Sequence, residues 1–127
     1  MAGPDQIERE VVGAWVAAFE AADVGALAKL VSRDVVLEMP PMWNWYAGPA
    51  AYAGFMERVY RTRGTRWSGV PLWANAEAGF AAYRAGRLHS VQLLTVVDEQ
   101  VVRTSVFADP AVFALFDLPA EIGPEGR

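Results

Sequence analysis

The apolar residues of this chain change their spacing once, near Gly64, and that change limits the folds open to it. Before it, Ile7, Val11, Trp15, Ala18, Phe19 and Ala22 recur with a period of 3.6 residues, while Glu8, Arg9 and Glu20 fall on other faces. The spacing predicts a helix from about Asp5 to Ala22. Asp23 then reads as the N-cap of a shorter helix that presents Val24, Leu27, Leu30 and Val31 and ends near Arg33. Val35 to Met39 is β-branched and apolar and is stopped by Pro40-Pro41, which predicts a first strand. Residues 42–47 follow as a loop. Gly48-Pro49 marks a third helix, to about Arg61, burying Tyr52, Phe55, Met56 and Val59.

Beyond Gly64 the pattern is strand-like. Strands are expected near 66–75, 77–84, 87–97 and 101–108, with turns at Ala85-Gly86 and at Asp98-Glu99-Gln100. Asp109-Pro110 opens a short helix carrying Val112, Phe113 and Phe116, and the tail from Ala120 reads as loose. Helices gathered ahead of an antiparallel meander argue for an α+β fold and not for alternating α/β units. The 127 residues fit one domain spanning 1–127.

Composition then removes several function classes. At 54% hydrophobic and 20% charged residues, the chain can build a core. Its net charge of −4 lacks the cationic excess that duplex binding needs, so no nucleic-acid partner is expected. There is no cysteine and one histidine, so no thiolate metal site and no other metal site is expected. No phosphate-binding glycine loop or nucleophile elbow appears, and no cofactor is expected. MAGPDQIERE carries acids and no apolar stretch, so it does not read as a signal peptide. No apolar run approaches the ~20 residues of a membrane span. The cytoplasm is the default compartment.

The words WVAAFEAADVGALAKLVSRDVVLEMPP (15–41), WYAG (45–48), HSVQLL (89–94) and VFADPAVFALFDLP (106–119) carry a resemblance. Together they resemble the nuclear transport factor 2-like superfamily in its SnoaL-like branch. They are most similar to the SnoaL-like domain at the C-terminus of some actinobacterial extracytoplasmic-function sigma factors. That resemblance implies a cone: a bent, mostly antiparallel sheet, with three helices from the first half and a short C-terminal helix over a pocket. It also implies a range of roles, from isomerases, dehydratases, polyketide cyclases and epoxide hydrolases to domains that only bind. The chain has no helix-turn-helix, and Glu38 stands where the sigma-linked domains carry a small hydroxyl residue.

The epoxide-hydrolase-like branch offers a strand register in which the residue before the Met-Pro word lines the pocket. That residue is Glu38. The same comparison turns His89, Val91, Leu93 and Thr95 inward on one strand, and Val102, Thr104, Val106 and Ala108 on the last. A turn at Ala85-Gly86 would pair Ala82 with His89 and Phe80 with Val91, placing Phe80 on the same face as His89. The branch's Asp–Arg–Asp set is missing, since its last position falls at Val106.

Two ionisable groups in an apolar cavity would have pKa values shifted toward neutrality, where a general acid or base works best. Glu38 and His89 are therefore the candidate catalytic pair. A histidine bonded to a carbonyl or a tyrosine, and an outward, solvated Glu38, are the structural alternatives. Trp43, Trp45 and Tyr46 read as an aromatic wall at the pocket mouth, or else as a packed corner of core. Trp15, Phe80, Val91, Thr104, Val106 and Phe113 complete the candidate substrate-binding set. Trp67, Trp73 and Tyr83 are expected on the outer sheet face, where a second copy would cover them, giving a homodimer. Arg58, Arg61, Arg63 and Arg66 read as complementing a helix C-terminus, in preference to an anion-binding site.

Three functions compete. The first is a cofactor-free enzyme performing acid–base isomerisation, cyclisation or dehydration on a hydrophobic, oxygenated small molecule. The second is a non-catalytic ligand-binding or regulatory domain related to those of sigma factors. The third is an interaction domain that uses the outer sheet face.

Overall fold

The computed structural model describes residues 6–40, 42–74 and 77–122, without the side chains of residues 42–45, 74 and 77. The order is α1 (Gln6–Glu20), α2 (Val24–Leu30), β1 (Val31–Met39), β2 (Met42–Ala47), α3 (Pro49–Arg63), β3 (Trp67–Ala74), β4 (Glu77–Arg84), β5 (Arg87–Val97), β6 (Gln100–Phe107) and α4 (Pro110–Leu115). The six strands form one curved, open sheet in the order β2-β1-β6-β5-β4-β3. Only β1 and β6 run parallel; the other neighbours are antiparallel.

The first helix buries Val11, Val12, Trp15, Val16, Ala18 and Phe19, the stripe its periodicity predicts. It stops where Ala22 takes a left-handed φ of 56° and the Asp23 N–H returns to the Ala18 carbonyl at 2.9 Å. The Asp23 carboxylate then accepts the Ala26 N–H at 3.0 Å and caps α2. Two expectations fail here. Val31 to Arg33 is strand, not helix: Val31 pairs with Val101 and is buried, so tertiary pairing overrides a helical spacing. Residues 42–47 are strand, not loop: Met39 pairs with Met42 and Leu37 with Tyr46. Pro40 follows Met39 at the end of β1, in a turn where no ladder N–H is needed.

The later strands fall within a residue or so of their expected bounds. Both hairpin turns have two consecutive positive-φ residues, Ala85 (50°) with Gly86 (83°) and Asp98 (51°) with Glu99 (65°), matching the right-handed strand twist.

Paired residues on neighbouring strands project to one face. The helix-facing side carries Leu37, Thr104, Leu94 and Ala78 in one row, and Phe80 and Ala82 farther along β4. All are buried. Phe19 centres this core, with ring centroids 5.0 Å from Phe80, 5.3 Å from Trp67 and 6.2 Å from Tyr60. Trp67 and Trp73 therefore lie on the helix side, contrary to expectation: Trp67 packs on Phe19, and Arg9 of α1 lies 4.9 Å above the Trp73 ring. Tyr83 does face outward, but it is buried and its hydroxyl donates to the Pro119 carbonyl at 2.9 Å.

The β3 edge is guarded. The Gly69 N–H, turned away from β4, donates to the Glu20 carboxylate at 2.7 Å. Pro71, two residues on, has no N–H to present. A Cβ at Gly69 would lie 2.8 Å from Val16 Cγ1, so glycine allows α1 to approach this closely.

Candidate functional site

Glu38 follows from alternation along β1. Val35 and Leu37 are buried beneath the helices, so Glu38, paired with Ser105, must project from the opposite face. There its Oε1 accepts the Ser105 hydroxyl at 2.8 Å and lies 3.4 Å from Arg103 Nη1. The group sits in an open groove of about 700 Å³ lined by Asp34, Val36, Leu93, Thr95, Arg103 and Phe107.

His89 is on the other side. Tyr83 pairs with Leu88 but Ala82 pairs with Ser90, so His89 is the extra residue of a β-bulge. Its ring meets Trp67 edge-on at 5.0 Å. Arg63 Nη1, from the end of α3, donates to Nε2 at 3.1 Å. That bond assigns the proton to Nδ1, which faces Ser90 Oγ at 3.2 Å. Burial lowers the His89 pKa first, and the Arg63 and Arg84 guanidiniums lower it further. This is a neutral histidine that ties α3 to β5.

The sign of its pH dependence follows. Unfolded, the imidazole titrates near its ordinary value of 6.5; folded, it titrates lower. As pH falls below 6.5, the unfolded chain takes up a proton that the folded one refuses, and stability declines toward the folded pKa. Urea midpoints should drop more between pH 7.5 and 5.5 for the native chain than for His89→Gln. Equal drops would remove His89 from the pH response.

The structure does not bring Glu38 and His89 together, because the sheet lies between them. The bulge explains the misplaced register. His89 faces the helices as expected, but the extra residue sends Val91, Leu93 and Thr95 to the outer face. Phe80 accordingly pairs with Gln92 and not Val91, and Ala82 pairs with Ser90 and not His89. A second bulge, between the pairs Thr95–Arg103 and Val96–Val101, sends Val102 outward into the groove. Ala108 lies beyond β6 and is exposed.

Of the candidate binding residues, Trp15, Tyr46, Phe80, Thr104 and Val106 lie on the helix side. Val91 does not. Phe113 is half-buried on α4, which packs against β5. Trp15 and Phe80 are fully buried in the core. Tyr46 is half-buried, stacks on Phe55 at 4.9 Å and accepts from Arg58 at 3.0 Å. The side chains of Trp43 and Trp45 lie outside the described residues. Among the described residues, Trp15 Nε1 and Thr104 Oγ1 are buried without a hydrogen-bond partner.

Sequence reasoning missed Ser105 and Arg103, which hold Glu38, Arg63, which bonds His89, and Arg84, whose charge adds to the effect of burial and Arg63 in lowering the His89 pKa. The first two become visible only once β6 is known to run beside β1, a pairing between distant and parallel segments. Arg63 enters the sequence reading only as one of the cations at the end of a helix, and Arg84, at the end of β4, does not enter it at all.

A family model described as SnoaL-like domain matches residues 12–104. The chain belongs to the SnoaL-like domain family. It is 32% identical to the ECF RNA polymerase sigma factor SigG of Mycobacterium tuberculosis, over 94% of this chain and 34% of the sigma factor. This SnoaL-like chain thus spans about a third of that relative's length. Among solved structures, it is similar to the M. tuberculosis extracytoplasmic function sigma factor SigJ, with a TM-score of 0.64 and 25% identity over 86% of this chain and 44% of that one. It also shares its fold with a Kribbella flavida protein assigned as a ketosteroid isomerase (TM-score 0.65, 19% identity, covering 94% and 84%). A Xanthomonas campestris protein assigned as a polyketide cyclase is comparable (TM-score 0.65, 18% identity, covering 87% and 96%).

Proposed function

We propose that this SnoaL-like domain is a ligand-binding regulatory domain of the kind joined to sigma factors, taking a small hydrophobic molecule on the helix-facing side of the sheet. The observation that carries this reading is the separation of Glu38 from His89. An acid–base enzyme built on that pair needs both at one substrate, and they project from opposite faces. His89, held neutral and bonded through both nitrogens, is suited to structure. The likeness to SigG over nearly the whole chain supports the regulatory role.

The test is fate of the ligand. Small molecules that co-purify with the chain, identified by mass spectrometry, should be recovered unchanged after prolonged incubation. Conversion to a product that Glu38→Gln or His89→Gln abolishes would overturn the reading.

A second reading has one observation in its favour. Glu38, braced by Ser105 and Arg103, opens onto the outer groove, where a single carboxylate could shuttle a proton in an isomerase or cyclase reaction. In that case activity should depend on Glu38 and not on His89. The homodimer is retained as a proposal on different residues from those first expected. Val36, Leu93, Val102 and Phe107 leave the outer face apolar and half-buried. Leu93→Glu is expected to shift a dimer to a monomer in analytical ultracentrifugation.

A further inference from the structure

Two cations meet where α3 ends against the sheet. Arg84 of β4 pairs with Trp67 of β3 and with Arg87 of β5, so all three project to the helix-facing side that Trp67 occupies. Arg63, the last residue of α3, reaches the same side and donates from Nη1 to His89 Nε2 at 3.1 Å. Arg84 Nε in turn donates to the Arg63 carbonyl at 2.8 Å. Each guanidinium is thus held by one nitrogen and keeps further N–H donors to offer. Both residues are exposed. Among the described residues neither forms an ion pair with a carboxylate, and Glu121 is engaged by Arg87 at 3.7 Å.

The end of α3 does not use up this charge. A helix C-terminus carries about half a negative charge, against one full positive charge on each arginine. Its last carbonyls are also served: the Gly64 N–H closes on Tyr60 O at 3.0 Å, and Trp67 Nε1 donates to Gly64 O at 2.9 Å. Capping therefore takes one N–H of Arg84 and none of Arg63. The surplus acts on one imidazole, since after burial both guanidiniums lower the His89 pKa.

We propose that Arg63 and Arg84 form a binding site for a compact, doubly charged oxyanion, the phosphate group of a small molecule, with His89 at its edge. Guanidinium forks match such oxygens two at a time, and two of them balance a double charge that a single carboxylate would leave half met. A polyanion is disfavoured by the net charge of −4. The site is independent of the helix-side ligand proposed above.

His89 is the one histidine in the sequence, so the ring signals of the untagged full chain report on it without assignment. Sulfate is the probe, because its charge stays constant across the histidine titration. Sulfate should shift the ring signals saturably and raise the His89 pKa relative to sodium chloride of equal ionic strength, since bound anion and bound proton favour each other. Arg84→Gln should weaken sulfate binding roughly tenfold. Arg84→Lys keeps the charge without the fork and should recover part of that loss. Arg33→Gln, on β1 two strands from β5, should bind as the native chain does. An equal rise in sulfate and in chloride is charge screening and overturns the site. Saturable binding that Arg84→Gln leaves unchanged overturns it as well. If Arg84→Gln does not fold, the native comparison of sulfate with chloride, together with Arg84→Lys, decides. A short DNA duplex that raises the pKa at lower concentration than sulfate overturns the small-molecule assignment.

Discussion

Phe19→Ala is expected to lower the unfolding free energy by about 3–5 kcal/mol, read as a fall in the urea midpoint with little change in slope. The ring is almost wholly buried and touches three other aromatic rings, from α3, β3 and β4. Truncation removes its transfer free energy and leaves a cavity that stiff aromatic neighbours cannot collapse into. Against a typical total of about 5–15 kcal/mol, that loss could unfold the chain. Tyr60→Phe is the control. It removes the hydroxyl bond to the Phe19 carbonyl at 2.8 Å but keeps the ring, and that carbonyl still accepts the Ala22 N–H at 3.1 Å. About 1 kcal/mol is expected there. Equal losses in the two variants would mean that the hydrogen bond, and not the ring cluster, joins α1 to α3.

Gly79→Ala is also expected to destabilise the chain, through the opposite fault. A Cβ at this position would collide with the Gln92 carbonyl oxygen and lie 3.1 Å from Leu93 Cα. These are backbone atoms of the adjacent strand, so no rotamer change relieves the contact. Relief requires β4 and β5 to part where Gly79 pairs with Leu93, inside the sheet with a strand on either side of β4. The cost should reach or exceed the usual overpacking range of about 1–3 kcal/mol. Gly13→Ala makes the contrast. Nothing stands within 4 Å of its added carbon, and an exposed helical glycine gains about 1 kcal/mol on becoming alanine. A Gly79→Ala chain with an unchanged thermal midpoint would show that the strands can slide apart at little cost.

The main elements were readable because their signals are local. The Trp15–Phe19 stripe, the Asp23 and Asp109 caps and the Ala85-Gly86 turn each depend on a few neighbouring residues, and each is where the sequence places it. What failed depends on distant partners. Val31 has a helical spacing but pairs with Val101 on the far side of the chain. Residues 42–47 contain polar and aromatic residues after two prolines, and only their pairing with β1 makes them a strand.

The site was less legible for a related reason. Which face a side chain takes along a strand is a count of parity, and one unannounced bulge reverses it. His89 was placed correctly and every residue after it on β5 incorrectly, because nothing in HSVQLL marks the extra residue. Glu38 could have been placed from its own neighbours: Val35 and Leu37 claim the core, which leaves Glu38 the other side.

The guarded flank of β3 has a consequence for how copies of this chain meet. The carboxylate of Glu20 occupies the Gly69 donor and Pro71 withholds the next, so a strand approaching that flank finds little to bind. At the other end of the sheet, β2 has a neighbour on one side only among the described strands. Growth of a fibre by strand addition needs two receptive ends, one to dock and one to recruit. With the β3 flank closed, strand addition at this sheet cannot run on from copy to copy, so crowding this chain should not yield strand-paired fibres.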